Sequence, residues 1–342
     1  MRAPDTPSQP AGGPHSGFSP QRLLVTGGCG FIGSNFVRHM LQATPDLEIV
    51  NLDALTYCGN PENLTDVERD HPRRYRFVHG DVRSPESVSQ AMDRCDSVVH
   101  FAAESHVDRS IACADDFITT NVLGTYVLLE EARRRGVERF VHISTDEVYG
   151  STLEGSFAEG DPLAPSSPYS SSKAAGDLLV LSYHTTYGMP VIVTRSTNNF
   201  GPYQYPEKLI PLFVTNLMEG KRVPLYGDGG NVRDWLYVLD NCRALETVLR
   251  SGQAGQVYNV GAGNEIDNRS ITQAILELLG VGEEMIEYVT DRLGHDRRYS
   301  VATDKITALG WRPLQDFRPA LADTVAWYRE HASWWKRLKK AS

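Results

Sequence analysis

Three stretches of the chain carry side chains whose types and spacing could do chemistry together. Ser144-Thr145-Asp146-Glu147-Val148-Tyr149-Gly150 closes an apolar run and sets two carboxylic residues side by side. Tyr169-Ser170-Ser171-Ser172-Lys173 places a phenol four residues before an ammonium. On a helix that spacing puts both on one face, one turn apart. A neighbouring ammonium stabilises phenolate, lowers its pKa and makes it a usable base toward an alcohol proton. Adjacent carboxyls suit paired work, one donating a proton while the other accepts one. The third stretch, Thr26-Gly27-Gly28-Cys29-Gly30-Phe31-Ile32-Gly33-Ser34, contains GxGxxG through Gly28, Gly30 and Gly33, and GxxGxxG through Gly27, Gly30 and Gly33. Such a loop lets backbone approach a pyrophosphate and aims the N-terminal N–H groups of the next helix at it.

A glycine pattern alone is weak evidence, so the surrounding elements decide. The apolar run Leu23 to Thr26 leads into the loop and the helical pattern Phe31 to Leu41 follows it. A second run, Leu47 to Leu52, ends in Asp53, 20 residues after Gly33. A carboxylate there accepts from both ribose hydroxyls and repels a 2'-phosphate, so NAD is expected rather than NADP. Asp81 and Val82 follow the run Tyr75 to Val78 and are expected to border the adenine. Further runs lie at Ser97 to Phe101, Phe140 to Ile143 and Val191 to Thr194, with a helical segment at Thr120 to Arg135. Continuous apolar strands alternating with helices predict an α/β fold, a doubly wound parallel sheet covered on both faces. Residues 21–200 are read as a Rossmann-type NAD-binding domain. After about residue 200 the alternation weakens, and 201–342 are read mainly as a smaller C-terminal substrate-binding lobe, with some later segments returning to the sheet. Residues 1–20, rich in Pro, Gly and Ser, are expected to form a disordered tail.

Composition narrows the function classes. A net charge of -9 argues against a broad nucleic-acid surface. No run approaches the ~20 apolar residues of a membrane span, and no basic-then-apolar leader opens the chain. Five widely spaced cysteines without a CxxC argue against a disulfide framework or a metal site, and for a reducing cytoplasm.

Joined, the glycine loop and the YxxxK resemble the extended branch of the short-chain dehydrogenase/reductase superfamily. Within that branch the chain resembles the dTDP-glucose 4,6-dehydratase family over nearly everything after residue 20. The matching stretches are TGGCGFIGS, LDALTYCGN, HFAAESHVDRS, STDEVYG, YSSSK, NNFGPYQYPEKLIP, PLYGDGGNVRDWLYV and DRLGHDRRYS. The resemblance implies a hexose nucleotide oxidised at C4, dehydrated across C5 and C6, and reduced at C6 on a retained NAD. It implies Tyr169 as base for the C4 hydroxyl, Thr145 as a hydrogen-bond partner of that oxygen, and Lys173 on the nicotinamide ribose. Asp146 would protonate the departing C6 hydroxyl and Glu147 would take the C5 proton.

The same resemblance implies NAD contacts from Gly27, Gly30, Phe31, Ile32 and Gly33. It adds Asp53, Ala54, Leu55, Thr56, Asp81, Val82, Phe101, Ala102, Ala103, Ser105, Thr120, Tyr169, Lys173 and Asn199. For the nucleotide sugar it implies Ser105, Thr145, Asn198, Lys208, Leu209, Pro224, Leu225, Tyr226, Arg233, Asn268, Asp291, Arg292 and His295. Arg233 and Arg292 suit a diphosphate, since a guanidinium fork fits phosphate oxygens, and Tyr226 could stack on thymine. In the family the helices matching Thr120 to Arg135 and the Tyr169 helix pair into a four-helix bundle, so a homodimer is expected. Ala54 stands where the family often has Lys, yet Asp53 keeps the NAD preference. A 4-epimerase would need Tyr169 and Lys173 but not the acid and base pair. A non-catalytic NAD-binding protein would often have lost one of these groups, and none is lost here.

Overall fold

The computed structural model describes residues 17–291 and 295–341. Its strands are β1 Arg22–Thr26, β2 Glu48–Asp53, β3 Tyr75–His79, β4 Ser97–His100, β5 Arg139–Thr145, β6 Val191–Ser196, β7 Asn198–Phe200, β8 Val223–Tyr226, β9 Val232–Tyr237, β10 Val257–Val260, β11 Glu265–Asp267 and β12 Ile286–Val289. Seven of them form one sheet in the order β10-β6-β5-β4-β1-β2-β3, and every pairing in it is parallel. The short apolar runs explain this. In β1, Leu23 and Val25 enter the core on one face while Leu24 enters the core on the other. Val141 and Phe140 split in the same way in β5. With both faces buried, each strand is apolar throughout rather than alternating.

The strand order determines where a ligand can sit. β1 has β2 on one side and β4 on the other, so the chain winds outward in both directions from that junction. In an open α/β sheet the crevice beyond the carboxyl ends of such strands is the binding site. Gly27, at φ +70°, carries the turn out of β1, and a Cβ there would lie 2.7 Å from the Ala102 nitrogen that follows β4. The two loops thus touch, and only glycine permits both the left-handed turn and the contact. The helix Phe31–Ala43 follows without an acidic residue in its first turn, which leaves its N-terminal dipole available to an anion.

The last third of the chain is interleaved with the large sheet. β7, β9 and β11 make a second small sheet, and β8 pairs with β12. Between them the helix Val238–Ser251 and β10 return to the large sheet, where Leu245 and Val248 join the core around Phe36 and Met40. Two local expectations need correction. The helical segment read at Thr120 to Arg135 begins as a π-helical turn, Thr119–Gly124, before the α-helix Thr125–Arg135. The tail read as 1–20 is anchored before its end: the Phe18 N–H donates to the Arg250 carbonyl at 2.8 Å and its ring packs on the core. Residues 1–16 lie outside the described residues.

Candidate active site

A cleft opens where the sheet order reverses. Of the NAD residues expected from the sequence, Gly27, Gly30, Phe31, Ile32, Gly33, Asp53, Ala54, Thr56, Asp81, Val82, Phe101, Ala102, Ala103, Ser105, Thr120, Tyr169 and Lys173 line it. A Cβ at Gly30 would meet only the Gly27 oxygen, at 3.3 Å, so this glycine leaves the loop open toward the cleft. That bare backbone above a helix N-terminus fits a pyrophosphate. Asp53 ends β2, buried. Its Oδ2 accepts from the Cys29 N–H and its Oδ1 from the Leu55 N–H, both at 2.8 Å. Two backbone donors therefore aim the carboxylate while leaving lone pairs for a diol. Leu55 and Asn199 do not line the cleft. Leu55 sits at φ +53°, with its side chain on the core. Asn199 turns its amide nitrogen to the Thr197 carbonyl. Among the described residues no His, Cys, Asp or Glu group has the geometry of a metal site.

The groups expected to be catalytic lie around the carboxyl end of β5. Thr145 is the last residue of that strand, and its hydroxyl caps the short helix Asp146–Tyr149 by accepting from the Glu147 N–H at 3.3 Å. The same hydroxyl donates to Asp146 Oδ1 at 3.2 Å. Asp146 is 3% exposed and its Oδ2 has no protein partner. Burial pushes its carboxyl up to about 8, and the neighbouring Glu147 charge adds to the rise. Asp146 is thus a protonated acid at neutral pH beside a second carboxylate, the separation of roles that acid and base work requires.

Tyr169 and Lys173 lie on the helix Pro168–Tyr187, whose start is set by Pro168 at the first position and a Ser167–Ser170 capping box. Lys173 is buried, and its Nζ donates to the Ile143 carbonyl at 2.6 Å. Burial lowers the ammonium to about 8, with the Asp177 carboxylate opposing. The expected depression of the Tyr169 phenol is not found. Desolvation, and next the Glu147 charge, hold it above its ordinary value, while a hydrogen bond with Thr145 works the other way. The lysine is turned toward backbone rather than toward the phenol, so the four-residue spacing places the pair without coupling it.

Most of the residues expected on the substrate side come from the later chain. Lys208 lines the cleft and its Nζ donates to the Ser105 carbonyl at 3.1 Å. Arg233 is 5% exposed, stacks over the Tyr299 ring at 4.3 Å, and its charge reaches Asp146. Asn198 and Asn268 each bury a side-chain oxygen that no protein group satisfies, which suits contacts to a polar ligand. Tyr226 is exposed at an edge where its ring meets His295 edge-on at 6.2 Å, and His295 Nδ1 lies 2.6 Å from Asp291 Oδ1. Leu225 corrects the expectation: its side chain is fully buried in the lobe core, so only its backbone can face a ligand. Pro224 precedes it in β8, and Leu209 opens the helix Leu209–Met218 against the same core. Arg292 lies outside the described residues.

Known proteins share this arrangement. The sequence model of the family described as GDP-mannose 4,6 dehydratase matches residues 24–324. A dTDP-glucose 4,6-dehydratase of Streptomyces niveus is 53% identical, over 93% of this chain and 96% of that protein. The crystal structure of DesIV, a dTDP-glucose 4,6-dehydratase from Streptomyces venezuelae with NAD bound, is 54% identical. It superposes with a TM-score of 0.90, covering 93% of this chain and 99% of that one. The chain belongs to the dTDP-glucose 4,6-dehydratase family. The wider scaffold is shared by a UDP-glucose 4-epimerase of Thermus thermophilus in complex with NAD, 34% identical, with a TM-score of 0.84 and coverage of 91% and 99%.

Several groups of this dehydratase-family site were not found by sequence reasoning. Ser144, Cys58, Gln204, Tyr205 and Glu207 also line the cleft. Asn121, in the π-helical turn, donates to the Glu104 carbonyl and to Ser172 Oγ, tying the loop after β4 to the Tyr169 helix. Asn231 buries an unsatisfied oxygen next to Asn268, whose N–H donates to the Asn231 carbonyl. All of them but Asn121 lay inside stretches already singled out, STDEVYG, LDALTYCGN, NNFGPYQYPEKLIP and PLYGDGGNVRDWLYV, without being picked as contacts.

Proposed function

We propose that this protein converts dTDP-glucose to dTDP-4-keto-6-deoxyglucose and water, in deoxysugar biosynthesis, with NAD regenerated in each turnover. The buried, proton-bearing Asp146 beside Glu147 carries this reading. Epimerisation has no use for a neutral carboxylic acid at this place, whereas elimination of a hydroxyl needs one. When bound, NAD would supply a hydride acceptor for C4 and a hydride donor for C6, and its positive charge would favour the Tyr169 phenolate. Tyr169 takes the C4 hydroxyl proton, with Thr145 orienting that oxygen. The 4-ketone acidifies the C5 proton, which Glu147 removes. Asp146 protonates the C6 hydroxyl as it leaves as water, and Glu147 returns a proton to C5. The protons balance: Tyr169 and Glu147 each accept one, Asp146 and Glu147 each give one. Lys173 binds the nicotinamide ribose. Lys208, Arg233, Asn198 and Asn268 hold the sugar diphosphate, and the exposed face of Tyr226 takes the thymine.

The test is incubation of the purified protein with dTDP-glucose and no added NAD, followed by NMR and mass spectrometry. Loss of one water with a new 6-methyl signal is the expected result. Appearance of dTDP-galactose alone, even with NAD added, would instead establish an epimerase.

A homodimer is part of the proposal. Ile118 is 50% exposed, Leu123 47%, Tyr126 46%, Leu178 61% and Tyr187 55%, and all lie on the segments Asp115–Arg135 and Pro168–Tyr187. Single exposed apolar residues are ordinary, but a row on two adjacent helices fits pairing with the same helices of a second copy. Light scattering is expected to give twice the chain mass, and Leu178→Glu to halve it. A cytoplasmic location is also proposed: all five cysteines are free, and no described helix is long and apolar enough to cross a membrane.

A further inference from the structure

The C-terminal helix Ala332–Ala341 reaches back to the turn Pro61–Leu64 that follows β2. Trp334 is 7% exposed and packs among Tyr203, Trp327 and Tyr328, with ring centroids 6.0, 5.1 and 6.3 Å away. Its indole N–H leaves this apolar cluster and donates to Asn63 Oδ1 at 2.8 Å. Asn63 is 1% exposed, and its Nδ2 donates to the Cys29 carbonyl at 2.9 Å. The Cys29 N–H then donates to Asp53 Oδ2 at 2.8 Å. Three hydrogen bonds in series, buried throughout, thus join residue 334 to the carboxylate at the end of β2. A second tie runs outside them: Arg337 grips Glu62 with two bonds, at 2.7 and 2.6 Å. Asn60, whose N–H also donates to the Cys29 carbonyl, caps the turn Pro61–Leu64 that presents Asn63.

We infer that Trp334 and Asn63 are positioning residues for NAD: through the backbone on both sides of Cys29 they hold Asp53 and the glycine loop in the geometry that grips the adenosine ribose. A buried Asn could satisfy itself in many ways, but here its two ends bond groups 271 and 34 residues distant. The Cys29 backbone is the shared link. Its carbonyl, in the peptide to Gly30, is fixed from the C-terminal side, and its N–H, in the peptide from Gly28, is spent on Asp53, so displacing Asn63 lets the Cys29 backbone dihedrals relax and shifts the N–H that aims the carboxylate. The indole is the outer anchor, and loss of its N–H leaves a buried amide oxygen unpaired.

This inference rests on Asp53 as the ribose ligand, so the experiment tests the two separately. NAD carried by the purified holoprotein is chased with isotopically labelled NAD, and its release rate is read by mass spectrometry. Affinity for dTDP, measured by calorimetry, serves as the control. Trp334→Phe keeps a ring in the cluster while removing the donor together with part of the indole. Trp334→Phe and Asn63→Ala are each expected to speed NAD release about five- to tenfold, the scale of one lost buried hydrogen bond, with dTDP affinity unchanged. Unaltered release in both variants, while Asp53→Ala releases NAD faster, would overturn the positioning role alone. Unaltered release in Asp53→Ala would overturn the ribose reading beneath it. Equal weakening of NAD and dTDP in Trp334→Phe would also overturn the inference, because a general loosening of the fold would explain it.

Discussion

Replacing Asp146 by Asn is expected to slow water loss from the substrate about a hundredfold or more while C4 oxidation continues. Asn fills the same buried space and keeps a hydrogen-bonding partner for the Thr145 hydroxyl, but it has no proton to give. General-acid groups contribute about 10² to 10⁴ in rate, so the deficit belongs to the elimination step. The check is a single-turnover experiment that follows nicotinamide absorbance and the 6-methyl signal separately; prompt reduction with delayed methyl formation is the expected pattern. The pH dependence follows from the same residue. Its carboxyl is raised to about 8 in the fold from an ordinary value of 3.8. Dehydration by the unaltered protein should therefore fall as pH rises through about 8, because the acid loses its proton. Stability shares the sign. The native state holds this proton more tightly than the unfolded chain does, so the penalty builds up as pH rises from 3.8 to about 8 and is complete above that. Asp146→Asn removes that penalty and is expected to melt at a higher temperature than the parent in that range.

Tyr169→Phe should stop the reaction one step earlier and more completely. The phenol is the group proposed to take the C4 hydroxyl proton, and it shares a hydrogen bond with Thr145 at the end of β5. Phe preserves the ring, including its edge-on contact with Phe117 at 6.3 Å. The expected loss in turnover is about a thousandfold, within the usual range for a general base, with NAD retained and nicotinamide absorbance unchanged after substrate is added. Stalling after oxidation in one variant and before it in the other would separate the two proton transfers. If Tyr169→Phe still reduced the nicotinamide promptly, its role as base would be wrong.

The parts of the site legible in the sequence are those where backbone or ionic chemistry demands a particular residue at a particular spacing. Gly27 must turn left-handed against Ala102, and Asp53 must end its strand about 20 residues beyond the loop, so both leave a readable pattern. The alternation of apolar strands with helices was readable because burial on both faces leaves no polar position. Trp334 and Asn63 were not readable: their contact spans 271 positions and follows no period. Leu55 and Leu225 show the converse. Each lies in a stretch that reaches the ligand region, yet the side chain itself turns into the core. The Lys173 ammonium shows a third limit. Helical spacing places it beside Tyr169, but the rotamer that bonds it to Ile143 is settled by the strand beneath.

The interleaving of the two halves bears on how the enzyme can move. The chain leaves the large sheet after β6, returns after β9 with the helix Val238–Ser251, and leaves again after β10 for β11. Later, Trp311 packs on the core beneath the large sheet and Phe317 on that of the lobe. A boundary stitched by so many passes offers no single hinge, since every strand would have to bend together for one half to swing. Closure over a nucleotide sugar is therefore restricted to small sliding adjustments of packed elements and to the loops at the cleft rim. A reactive unsaturated ketone would then be guarded by a cavity rigid from the start, not by a jaw that shuts on it.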